Sequence, residues 1–109
     1  MQAQTTGRVL SPASQTRFQQ LAVERLAEVL ARGAEQGLPA VPWTVTAAGC
    51  GLRADISPAI ADPRGTHLLW VRALGLTPQR TVPGRLTATA RMDGVQVTVT
   101  TLTVKEQSA

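Results

Sequence analysis

Residues 85–104 read RLTATARMDGVQVTVTTLTV, and the fold that the sequence predicts depends on this stretch. Polar and apolar side chains alternate on both sides of Asp93-Gly94, a dipeptide typical of the two-residue type I′ turn of a β-hairpin. A two-residue turn fixes the register of the two strands, so that Ala88 lies opposite Val99. This pair belongs to an apolar face, which must turn inward.

The opposite face of the same hairpin is polar and is the candidate binding surface. Arginine beside hydroxyl groups on a flat sheet suits phosphates or the acidic edge of a partner. The competing explanation is that threonine has a high strand propensity and simply lines a solvated face. The face has no aromatic side chain, which counts against stacking on single-stranded nucleic acid. The residues of this Arg/Thr face are Arg85, Thr87, Thr89, Arg91, Thr98 and Thr100.

The second strand of the hairpin, residues 95–104, is long, rich in valine and threonine, and uncharged. At the edge of a sheet such a strand would be unprotected, and a second copy or a partner strand would pair with it. A central position in the sheet is the competing explanation. The sequence leaves both positions open.

Upstream of the hairpin, residues 12–32 have the periodicity of an amphipathic helix. Ser11 is suited to the N-cap, and Pro12 to the first helical position. Gly33 and Gly37 are the candidate C-terminal stops. The apolar residues that share one stripe of this helix, and that we expect in the core, are Phe18, Leu21, Ala22, Leu26, Val29 and Leu30.

Beyond Pro39 the apolar period changes from about four to two, which predicts strands. Residues 43–47 alternate first, and residues 52–56 alternate again after a turn at residues 49–51. The short connection between them predicts a second hairpin.

Residues 61–76 fit two interpretations. A turn at residues 62–65 followed by a strand is one of them. The other is a helix with Asp62 as N-cap and Gly75 as its left-handed terminator. The helix is favoured, because a strand would place Trp70 on the same face as Arg72. The residues that the helix gathers on one face are His67, Trp70, Val71 and Leu74.

The predicted elements follow one another in the order αββαββ. They indicate an α+β fold in which two hairpins form a four-stranded antiparallel sheet with both helices on one face. A chain of 109 residues has room for one core. We therefore expect a flexible N-terminal tail at residues 1–11, one domain at 12–105 and a C-terminal tail at 106–109.

Three short motifs carry a resemblance: LPxxxWTV at residues 38–45, WxxALG at 70–75 and DGV at 93–95. In this pattern the chain resembles a group of small uncharacterised actinomycete proteins, over residues 38 to about 100. The resemblance implies a helix at residues 64–75. It also implies an accessory role linked to a mobile element or a regulatory cluster, since no activity is assigned to the group.

Residues that support catalysis are sparse in this sequence. Cys50 and His67 are the only cysteine and histidine, they fall in different elements, and no carboxylate has a spacing that would orient the histidine as a base. A zinc site needs four closely spaced ligands, and a nucleotide site needs a glycine-rich loop before a helix. The sequence therefore predicts that the protein is not an enzyme and has neither a metal nor a cofactor.

The net charge of +4 comes from ten arginines and one lysine that are spread evenly along the chain. Arginine without lysine is typical of a GC-rich genome, and a nucleic-acid binder more often concentrates its charge. The sequence shows no signal-peptide segment and no apolar span, so we expect a cytoplasmic protein. These features predict a non-enzymatic accessory module that binds another protein, as a homo-oligomer through a sheet edge or a helix face. The alternative is a nucleic-acid-binding accessory protein that uses the Arg/Thr face.

Overall fold

The computed structural model describes residues 11–46, 51–80 and 82–103. The predicted tail at residues 106–109, and all but Ser11 of the tail at 1–11, lie outside these ranges. The described elements are α1 (Pro12–Gln36), β1 (Trp43–Val45), β2 (Gly51–Ile56), α2 (Pro63–Leu74), β3 (Thr77–Pro78), β4 (Arg85–Met92) and β5 (Val95–Leu102).

The strands form one five-stranded mixed sheet in the order β1-β2-β5-β4-β3. β2 and β5 are parallel, and the other neighbouring pairs are antiparallel. The predicted four-stranded antiparallel sheet is therefore wrong, and the order αββαββ becomes αββαβββ. The parallel pair arises because the second hairpin inserts its last strand, β5, beside β2. Valine on the inner face of β5 and threonine on its outer face both have a high strand propensity, which suits a strand with a neighbouring strand on each side.

The added strand, β3, consists of two residues and gave no periodicity to detect. Its Pro78 has no backbone N–H, and such a residue is tolerated at the edge of a sheet, where β3 lies. Thr77 pairs with Thr89, and the backbone N–H of Gln79 donates to the carbonyl of Thr87 at 2.8 Å.

The predicted hairpin of β4 and β5 is confirmed in position and in register. Ala88 lies opposite Val99, and Thr89 lies opposite Thr98. The turn residues Asp93 and Gly94 both have positive φ, 51° and 86°, as a type I′ turn requires.

Helix α1 begins where the sequence predicted. The side chain of Ser11 accepts a hydrogen bond from the backbone N–H of Ser14 at 3.1 Å, which satisfies an N–H that the helix leaves unpaired. The helix ends at Gly37, which adopts the left-handed conformation at φ 67°. Gly33 lies inside the helix and is buried against the ring of Trp70.

Helix α2 confirms the helical interpretation of residues 61–76. The Asp62 carboxylate accepts from the backbone N–H of Gly65 at 3.0 Å, and Gly75 ends the helix at φ 66°. Of the predicted inner face, His67, Trp70 and Leu74 are buried and Val71 is half-buried.

Both helices pack on the same side of the sheet. Ala22 of α1 and Trp70 of α2 belong to one buried cluster with the inward residues of β2 and β5, such as Ala54 and Val97. Trp43 of β1 contacts Trp70 edge to face, with ring centroids 5.6 Å apart. No helix of the described ranges covers the other side of the sheet, which carries the Arg/Thr face. Neither described helix has the length and the apolar character needed to cross a lipid bilayer.

Candidate functional site

The six residues of the Arg/Thr face lie on one side of β4 and β5, as the hairpin register requires. Arg85 and Arg91 are exposed at opposite ends of β4. Six steps along the strand place their Cα atoms roughly 20 Å apart. The two guanidinium groups are therefore too far apart to hold one phosphate between them.

Two of the threonines between the arginines, Thr89 and Thr98, are engaged with each other. Thr89 Oγ1 donates to the carbonyl of Val97 at 3.0 Å and lies 3.1 Å from Thr98 Oγ1. Thr100 is only 7% exposed, so it adds little to the surface. Hydroxyl groups that already have partners gain less from a ligand. Nucleic-acid binding through the Arg/Thr face stays a prediction.

On β2, beside the Arg/Thr face, one charge pair is satisfied internally. Arg53 Nε donates to Asp55 Oδ1 at 3.0 Å on the outward side. An arginine that already faces a carboxylate attracts an external anion less strongly. This pair lowers the positive potential of the open side of the sheet.

Of the two positions that the sequence left open for the last strand, the central position is confirmed. β5 is the central strand, so its interpretation as an unprotected edge is wrong. The actual edges are β1, with three residues, and β3, with two. Short edge strands offer few unpaired backbone groups to another chain.

A second apolar stripe runs along the outward side of α1. Val23 is 53% exposed and Leu30 is 49% exposed, and Ala27 and Ala34 between and beyond them are also exposed. At about 100° per residue these four side chains fall within an arc of about 60°, over a length of about 16 Å. We call these four residues the α1 stripe.

The α1 stripe was not predicted from the sequence, and Leu30 was expected in the core. That assignment is wrong, because the buried side of α1 is centred on Ala22, Val29 and Gly33. The signal that reveals the stripe is the spacing of four, three and four residues from Val23 to Ala34. This is the spacing of the apolar positions in paired helices.

A cluster of charges along the flank of α1 fixes the helix to the hairpin. Arg25 is 15% exposed, and its guanidinium lies 2.8 Å from Glu28 and 2.9 Å from Asp93, which is in the β4–β5 turn. Glu24 lies further from it, at 3.8 Å. The cluster holds α1 in place, so that the stripe projects from a fixed support.

The residues considered for catalysis are not brought together within the described part of the chain. Cys50 lies outside the described residues. The His67 ring is buried, and its Nδ1 lies 2.7 Å from Thr101 Oγ1. Desolvation by burial lowers the pKa of His67. Among the described residues, no group of three or more His, Cys, Asp or Glu side chains is placed to hold a metal ion. The absence of an enzymatic activity stays a prediction.

Comparison of the chain with models of known protein families, with curated proteins and with solved structures gave no match. The resemblance to the small actinomycete proteins stays a prediction, as does the accessory role that it implies. The surfaces of the fold are then the basis for a functional proposal.

Proposed function

We propose that this chain is a protein-interaction module that self-associates through α1. Two copies would pair antiparallel along the α1 stripe. The observation that carries the proposal is the exposure of Val23 and Leu30, about half of each side chain, on one line of a helix that is 25 residues long. Apolar side chains that are contiguous on a surface are typical of interaction sites.

The composition of the stripe fits a second helix of the same kind. Apolar residues that recur every three and four residues let two helices keep contact along their length. Ala27 and Ala34 are small, so the two backbones can approach closely. In a two-fold antiparallel pair, Val23 of one copy lies near Leu30 of the other, and this contact occurs twice by symmetry. The small Ala27 side chains lie between the two contacts.

The charges beside the stripe favour the antiparallel direction. Arg17 and Glu35 lie on the same flank of α1, and both are exposed. Neither forms an ion pair within the described ranges. The register that pairs Val23 with Leu30 brings Arg17 of one copy close to Glu35 of the other, twice by symmetry. Exposed ion pairs contribute at most about 1 kcal/mol each, so they set direction more than affinity.

Glu24 and Glu28 would face each other across the same pair and repel. Arg25 offsets this repulsion, because its guanidinium is bonded to Glu28 and lies near Glu24 in the same copy. The cluster that holds α1 against the hairpin therefore also reduces the cost of bringing two acidic flanks together.

The experiment measures the mass of the full chain in solution over a range of concentrations. We expect a dimer by sedimentation equilibrium or light scattering. Leu30→Glu places a charge in the contact twice by symmetry, and should weaken the dimer at least a hundredfold, about 2.7 kcal/mol. Leu102→Glu is the matched control, because Leu102 is 48% exposed but lies on the open side of the sheet. Circular dichroism checks that both variants keep the fold.

A charge exchange tests the direction of the pair. Arg17→Glu and Glu35→Arg should each weaken the dimer severalfold, and the double variant should restore it. A wild-type chain that stays monomeric at every concentration contradicts the proposal. So does a dimer that Leu102→Glu dissociates as strongly as Leu30→Glu, since this result would place the contact on the sheet.

A further inference from the structure

A cleft of about 200 Å³ lies between α2 and the two outer strands, β3 and β4. The helix α2 packs mainly over β5, so it does not fill the space above the inner side of β4 and the two-residue β3. Its apolar sides include Leu68 and Val71 of α2 and Leu86 of β4. The cleft involves no residue of α1.

Two polar side chains of α2, His67 and Arg64, line this space together with Gln79 and Thr87. His67 is 5% exposed, and Thr101 engages its Nδ1, which leaves Nε2 as the ring nitrogen for a ligand. Because burial lowers the pKa of His67, the ring is neutral at pH 7. When Nδ1 accepts a hydrogen bond from the Thr101 hydroxyl, the neutral ring carries its proton on Nε2, which can then donate to a ligand. Arg64 is exposed on the same turn of α2, and it has no ion pair within the described parts of the chain.

We propose that this cleft binds a small carboxylate with an apolar body, of the size of benzoate. The body would pack against Leu68, Val71 and Leu86, and the carboxylate would accept hydrogen bonds from Arg64 and from Nε2 of His67. An apolar cavity of roughly 150 Å³ is enough for a benzene ring, so the volume fits. Arginine is suited to this role because its planar guanidinium group can donate two parallel hydrogen bonds to the two oxygens of a carboxylate.

The test is a titration of the full chain with benzoate, followed by amide and histidine side-chain chemical shifts. A ligand of this size binds with a Kd on the order of millimolar. We expect saturable shifts at the residues that line the cleft. Benzyl alcohol has the same body without the charge, and should bind at least tenfold more weakly.

Variants separate the cleft from general attraction to a basic protein. Arg64→Gln should weaken benzoate binding about tenfold. Arg72→Gln removes the same charge from an exposed position of α2 outside the cleft, and should leave the affinity unchanged. Leu86→Trp should fill the space and abolish binding, with its amide spectrum showing that the fold is kept. Shifts that do not saturate, equal binding of benzyl alcohol, or equal effects of the two arginine substitutions would each overturn the proposal.

Discussion

Acidification should destabilise this protein through His67, the only histidine in the sequence. Its ring is 5% exposed, and burial lowers its pKa below the ordinary value of 6.5. The unfolded chain has no such burial, so its histidine has the ordinary pKa of about 6.5. Protonation therefore favours the unfolded chain. The contribution of the neutral ring to stability is complete above pH 6.5 and is lost as the pH falls toward the lower pKa of the folded state.

The size of this effect follows from the difference between the two pKa values. The free energy of unfolding falls by at most about 1.4 kcal/mol for each pH unit between them. From pH 7.5 to pH 5.5, only the last unit lies below the pKa of the unfolded chain. The loss is therefore at most about 1.4 kcal/mol, which lowers the Tm of a domain of this size by roughly 5–10 °C.

The measurement is urea and thermal unfolding, followed by circular dichroism at pH 7.5, 6.5 and 5.5. His67→Gln is the matched control, because its amide can bond Thr101 and does not titrate. Wild-type stability should fall between pH 6.5 and 5.5, while the stability of the variant stays nearly constant. The reasoning is refuted if the wild type is equally stable at all three values, or if His67→Gln loses as much stability as the wild type does.

Two further predictions concern the helices. Asp62→Ala removes the carboxylate that accepts from Gly65 at 3.0 Å, and should cost about 1 kcal/mol in urea unfolding. Asp62→Asn, which keeps an accepting oxygen, should cost clearly less, and an equal loss in both variants would contradict the capping role. Gly33→Ala places a methyl group directly against Cη2 of the Trp70 ring and 3.1 Å from its Cζ2 and Cζ3. The overpacking should lower the free energy of unfolding by about 1–3 kcal/mol, which outweighs the gain of about 1 kcal/mol from the higher helix propensity of alanine. A variant more stable than the wild type would disprove this close contact.

The elements that the sequence predicted best are those that short-range chemistry determines. Asp93-Gly94 specifies a turn with two positive φ values, and the turn then sets every pair along β4 and β5. Asp62 likewise determines where α2 begins. In each case the residues that interact are within a few positions of one another, so the sequence contains the whole interaction.

The arrangement of the strands could not be predicted in the same way. Nothing within a hairpin specifies which of its two strands lies beside β2, because β4 and β5 both have an apolar inner face. The choice depends on packing over long sequence separations, and β5 gains the central place with valine on one side and threonine on the other. Thr101 illustrates this dependence: it is fully buried under α2, where it meets His67.

The candidate surfaces were predicted unevenly for a related reason. The side on which the Arg/Thr face lies follows from strand alternation and was predicted. The hydrogen bonds that engage Thr89 and Thr98 depend on their side-chain orientation, which alternation does not give. The α1 stripe was missed because Val29 and Leu30 are adjacent, and the sequence pattern alone assigns both to one face.

The topology of the sheet also determines where association can occur. A long strand of valine and threonine at an edge would invite pairing with other chains, and β5 is this kind of strand. Its central position removes that risk. The edge strands β1 and β3 are short, and β4, which β3 covers only in part, carries the exposed charges of Arg85 and Arg91 near its ends. With backbone pairing restricted in this way, the apolar surface left for self-association is on the helices. The α1 stripe extends over about 16 Å of a 25-residue helix, and for this reason the proposed contact is a pair of helices and not a continued sheet.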